Sequence, residues 1–105
     1  MSYQVVFSRE AEEDLERLFD HALERELNSH SADFDIPLLA IQAIRQACQF
    51  LAISPFSCRK VGVSTFVREF IIPSGASGDV AMFEIRDAEK VIVGAVRHQR
   101  ESDYH

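Results

Sequence analysis

YQVVFSREAEEDLERL, residues 3–18, changes its period in the middle, and that change decides the fold. Tyr3 to Phe7 alternates imperfectly and is rich in β-branched and aromatic side chains, the composition of a short strand. Ser8 follows as a helix N-cap, and Glu10, Glu12, Glu13 and Asp14 crowd the next turn, where the positive helix end favours carboxylates. Ala11, Leu15, Leu18 and Ala22 then recur at spacings of four, three and four, with Phe19, Leu23 and Leu27 widening the stripe. The spacing predicts an amphipathic helix from about Ser8 to Leu27. Its acidic first turn reads as a solvated face.

Downstream, residues 28–33 form a polar connector, and Asp35 and Pro37 sit where a second helix should begin, since proline is tolerated in a first turn. Leu38, Ile41, Ile44, Cys48 and Leu51 repeat at three and four, predicting a helix of about 16 residues. Two such helices joined by a short polar segment make an antiparallel hairpin, and Ser54-Pro55-Phe56 ends it. The remainder has the period of strands. Phe66 to Ile72 is aromatic and β-branched, and residues 73–79 are a turn. Val80 to Arg86 is a strand with Ala81, Phe83 and Ile85 on one face, and residues 87–90 are a tight turn. Val91 to Val96 is apolar enough for a central strand. Residues 99–105 read as a polar tail. The order β-α-α-β-β-β implies an α+β fold with the helix hairpin on one face of an antiparallel sheet, and β1 at or near an edge.

At 105 residues, residues 1–105 are expected to be a single domain around one core. Acidic residues arrive before any apolar run could act as a signal peptide, and no stretch approaches the roughly 20 residues of a membrane span, so a cytoplasmic location is expected. Cys48 falls in the apolar stripe and reads as a small buried hydrophobe. Cys58 has no histidine near it in sequence and reads as incidental. His98, Asp103 and His105 match no metal-site spacing, and no cofactor is implied.

Charge is divided unevenly. Residues 1–53 hold four basic and ten acidic side chains, a net of −6, and residues 54–105 hold seven of each. An acidic surface repels phosphate, so any role at a polyanion rests on the second half, with Arg59, Lys60, Arg68, Arg86, Lys90, Arg97 and Arg100.

Several phrases, in order, resemble the RelE/ParE toxins of type II toxin–antitoxin systems, and the resemblance covers most of the chain. Residues 3–8 followed by Ala11 and Asp14-Leu15 resemble the family's opening strand and its Ala-x-x-Asp-Leu helix. Ser54-Pro55 with Arg59-Lys60-Val61-Gly62 is similar to the family's crossing from helix to sheet. Val67-Arg68-Glu69-Phe70 resembles its Arg-Glu strand, residues 80–85 its central strand, and residues 96–104 its closing motif. Each phrase alone is weak; five in the right order are specific.

The resemblance implies two rival functions. RelE-like members cleave mRNA in the ribosome, with a site on the open face of the sheet. Carried over, their catalytic positions are Arg68, His98, Arg100 and Tyr104, a sensible set for moving two protons and holding a phosphorane. ParE-like members bind and poison DNA gyrase and need no such set. A net charge of −6 opposes the phosphate contacts of a ribosome-bound enzyme, so the ParE branch is expected, a binding toxin of a plasmid-stabilisation (addiction) system. A cognate antitoxin is the implied partner, forming a hetero-oligomer with it. A degenerate member retaining only antitoxin binding is the third reading. The family offers the outer groove of its helix hairpin to the antitoxin. Glu12, Glu16, Asp20 and Glu24, four residues apart along one face of the first helix, would meet that partner's cations.

Overall fold

The computed structural model describes residues 2–29, 33–73 and 78–99. Strand β1 (Gln4–Phe7) leads into α1 (Arg9–Leu27) and α2 (Asp35–Cys48). Two short 3-10 helices, Gln49–Ala52 and Pro55–Ser57, carry the chain across to β2 (Arg59–Lys60), β3 (Val67–Ile72), β4 (Asp79–Ile85) and β5 (Lys90–His98). The strands form one five-stranded sheet in the order β1-β5-β4-β3-β2.

The expected elements are present, and their ends have visible causes. The Ser8 hydroxyl accepts the Ala11 amide at 3.1 Å and starts α1, while Glu10 and Glu12 occupy its first turn. Pro37 lies buried in the first turns of α2. Gly62, with φ of 67°, turns the chain between β2 and β3. Sequence periodicity missed β2, because two residues are too few to display a period. It also extended α2 through Leu51, where the helix instead tightens into a 3-10 turn.

The sheet departs from a purely antiparallel one at its edge. β1 lies there, as expected, but pairs parallel to β5, with Gln4 opposite Lys90 and Phe7 opposite Val93. The short connections from β3 to β4 and from β4 to β5 favour antiparallel pairing, whereas two helices separate β1 from the rest of the sheet. Its direction is therefore set by docking rather than by a turn.

The core lies between the helices and one sheet face. Ala11, Leu15, Ile44, Cys48 and Leu51 meet Ile72, Ala81, Phe83, Ile85, Val91, Val93 and Val96. Val93 and Val96 both face inward because β5 bulges. Phe83 pairs with Val93 and Met82 with Ala95, so Gly94 is the extra residue. Helix α1 grips this bulge. The Ser8 amide donates to Val93 O at 2.8 Å and its hydroxyl to Gly94 O at 3.3 Å. The Val96 amide donates to Asp14 Oδ2 at 2.8 Å, and Arg17 donates to Val96 O at 3.5 Å. Asp14 is thus not part of a solvated face. It is 4% exposed, with Arg17 3.8 Å away. The sequence shows a carboxylate at the right place for a helix N-terminus, but not that the strand's bulge lies under it.

Removing this carboxylate leaves the Val96 amide buried without its acceptor, a loss of about 1–3 kcal/mol. Asp14→Ala should therefore lower the urea midpoint clearly, while the exposed control Asp20→Ala should stay within about 0.5 kcal/mol of wild type. Equal midpoints for the two variants would mean that the hydrogen bond from the Val96 amide to Asp14 contributes nothing.

Candidate functional site

The first candidate is the groove between α1 and α2. Its volume is about 440 Å³, and Leu15, Phe19, Leu38 and Ile41 line it beside Glu12, Glu16, Asp20 and Arg45. Three of the four carboxylates expected on the partner-facing row therefore border one concave surface. Glu24 is exposed one turn farther along the same row. Glu12 differs from the others. Arg45 of α2 donates to both its oxygens, at 3.3 and 2.5 Å, and the Arg45 guanidinium lies 5.2 Å from the Phe7 ring centroid. The Glu12 hydrogen bond pushes the Arg45 pKa above its ordinary value. Glu12 thus closes one end of the groove by tying the helices together. Among the described residues, no cation pairs with Glu16, Asp20 or Glu24. Beyond Leu38 the surface stays apolar, with Leu27, Phe34, Ile36 and Leu39 each at least 46% exposed.

The second candidate is the sheet, where the nuclease reading needs Arg68, His98, Arg100 and Tyr104 together. Arg100 and Tyr104 lie outside the described residues. Arg68 does not lie on the open face. Phe70 and Ile72 meet the core on the helix side, and period two puts Arg68 on that side as well. There its Nε donates to Thr65 O at 2.8 Å and its Nη1 to Phe56 O and Cys58 O at 2.9 and 2.7 Å. Its guanidinium also sits 5.2 Å from the centroid of the Phe56 ring. This arginine joins three backbone carbonyls across the β2–β3 connection.

His98 pairs in register with Asp79, while Arg68 pairs with Phe83. Four residues of β4 separate those positions, about 13 Å along the strand. The bulge explains His98. Without the extra residue Gly94, the alternation from Val91 and Val93 would have carried His98 to the open face. With it, Arg97 takes that side instead. The open face holds a feature that the sequence reading did not single out. Glu69, 12% exposed, takes Arg59 Nη2 at 2.8 Å and lies 3.9 Å from Arg97 Nη2. Glu84 on the same face receives Arg86 at 2.8 Å. The signal for Glu69 was present in Val67-Arg68-Glu69-Phe70, but which member of an adjacent Arg-Glu pair faces out depends on register alone.

Both cysteines are reduced and separate. Burial pushes the Cys48 thiol up to about 12. Burial also raises Cys58, to a degree that the neighbouring Arg68 charge opposes. Among the described residues, no three His, Cys, Asp or Glu side chains gather as metal ligands. No described helix is long and apolar enough to cross a membrane.

Comparison with known proteins agrees with this architecture. The profile of a family described as the ParE toxin of type II toxin-antitoxin system, parDE, matches residues 5–103. The curated proteins contain no sequence match. Among solved structures, a chain of the "Chromosomal ParDE TA system from P. aeruginosa" aligns with a TM-score of 0.68 at 15% identity. The alignment covers 92% of this chain and 96% of that one. At such identity the likeness is one of fold.

The thiols give a direct check on the packing. A raised pKa means less thiolate, so at about pH 8 Cys48 should resist iodoacetamide in the native protein and react only in denaturant. Mass spectrometry should find Cys58 modified first; native labelling of Cys48 at the rate of a free thiol would contradict its burial.

Proposed function

The chain belongs to the ParE toxin family of type II toxin–antitoxin systems, and from that premise we propose that it arrests growth by binding DNA gyrase and is silenced by an antitoxin docked along the α1–α2 groove. The observation that carries the binding-toxin reading is the carboxylate at the middle of the open sheet face. A ribonuclease site there must stabilise a dianionic phosphorane with uncommitted cations. Instead Glu69 engages Arg59 and Arg97, and the Arg68 guanidinium is committed to three carbonyls. The net charge of −6 points the same way, since ribosome binding draws affinity from phosphate contacts and counterion release.

The groove suits an antitoxin segment of amphipathic form. Apolar anchors at helical or strand spacing would cover Leu15, Phe19, Leu38 and Ile41, and the apolar surface continues past Leu38. Lys or Arg on that segment would face Glu16, Asp20 and Glu24, whereas Glu12 already has Arg45. In this reading the toxin works in the cytoplasm, in complex with the antitoxin until the antitoxin is lost, and serves plasmid stabilisation.

Induction without antitoxin should produce filamentous cells with DNA damage while bulk mRNA stays intact, and the purified toxin should inhibit supercoiling by gyrase. If mRNA is instead cut at ribosomal positions, and Arg68→Ala or His98→Ala abolishes the cutting, the ribonuclease reading replaces this one. If growth continues although the antitoxin binds, the chain is a degenerate member.

Charge across a rim acts mostly on association. Glu16→Lys combined with Asp20→Lys should slow antitoxin association and flatten its salt dependence, with little change in the dissociation rate. Surface plasmon resonance at two salt concentrations decides it; association indifferent to both mutation and salt would remove the groove from the interface.

A further inference from the structure

A second exposed apolar surface lies at the other end of the sheet from the helix groove. Val63, on the β2–β3 connection, is fully exposed, and Phe56 and Phe66 are 46% and 53% exposed. The two rings meet edge to face, with centroids 6.3 Å apart. Phe56 and Phe66, though not Val63, line a hollow of about 460 Å³ together with Tyr3, Glu84, Arg86 and Asp87. Tyr3 precedes β1 and Phe7 ends it, so about four residues of strand, roughly 13 Å, separate this hollow from the Arg45 end of the groove.

Apolar side chains kept in water cost stability, and clustered ones that are also held rigid mark an interface. Rigidity here has a named source. Arg68 binds the carbonyls of Phe56, Cys58 and Thr65, so the backbones on both sides of the hollow share one guanidinium. The rim supplies a charge preference. Arg86 is held by Glu84 at 2.8 Å, while the Asp87 carboxylate accepts the Glu89 amide and, among the described residues, pairs with no cation. A hollow of aromatic walls and a surplus carboxylate suits a lysine or arginine whose stem lies along the rings and whose head reaches Asp87. The same carboxylates disfavour a phosphate backbone.

We propose that the hollow between Phe56, Phe66 and Asp87 is the surface by which the toxin engages its protein target, taking a basic side chain flanked by an apolar residue from that target, with Arg68 as the positioning residue. This rests on the reading of the chain as a target-binding toxin. It assigns the contact to the protein part of a gyrase–DNA complex rather than to the DNA.

The test compares Phe66→Ser and Asp87→Lys, both changes at exposed positions lining the hollow, with the double variant Phe66→Ser/Asp87→Lys. Affinity for the antitoxin should stay within about twofold of wild type in each, which also certifies folding. Growth arrest on induction should be lost, and supercoiling inhibition should require about tenfold more toxin, the effect of losing one interface anchor. Variants that arrest growth as wild type does overturn the proposal whatever the target is. If the wild-type toxin leaves gyrase untouched while the variants still lose growth arrest, the gyrase reading fails and the surface stands. A double variant whose loss is reproduced with DNA alone, in fluorescence anisotropy without gyrase, would mean that the occupant is nucleic acid, and the proposal falls.

Discussion

The hydrogen bond from the Val96 amide to the buried Asp14 carboxylate is the contact on which the rest of the architecture depends. A carboxylate 4% exposed is costly unless its lone pairs are used. Here they meet a strand amide and a nearby guanidinium, while Ser8 holds the preceding residues of the same strand. The extra residue at Gly94 leaves ladder groups without strand partners, and α1 supplies partners for them. Helix and bulge are therefore one device: neither is well satisfied without the other.

The bulge also decides the chemistry of the sheet. It turns Val96 into the core, sends Arg97 to the open face and takes His98 away from it. Arg97 then approaches Glu69, which Arg59 already holds from the edge strand. Two cations of this face are thus spent on a carboxylate rather than left for a phosphate. A face of this kind offers little to a phosphate backbone.

Two of the exposed apolar surfaces among the described residues lie at separated places and have different rims. The hairpin groove is bordered by Glu16 and Asp20 and runs into the apolar end of α2. The hollow at the sheet end is aromatic and is stiffened by Arg68. Under the proposed function the two surfaces serve different partners. Separated surfaces let each be tuned without disturbing the other.

How much of this was legible beforehand follows from what is local. Ser8 as a cap, the stripe from Ala11 to Ala22, and the alternation of Ala81, Phe83 and Ile85 are set by neighbours in sequence, so periodicity and capping chemistry were enough to find them. The row of Glu12, Glu16 and Asp20 was likewise legible, because a helix repeats nearly every four residues. The parallel docking of β1, the burial of Asp14, the Arg68 clamp and the opposite fates of Arg97 and His98 were not legible. Each depends on which residues from distant segments meet, and one inserted residue in β5 reverses the facing of every side chain after it. Sequence alone determined the two helices and the longer strands, their order and the family resemblance, since these are local patterns. Tertiary structure decided which charges face solvent, the core or one another, because register and docking are properties of paired segments.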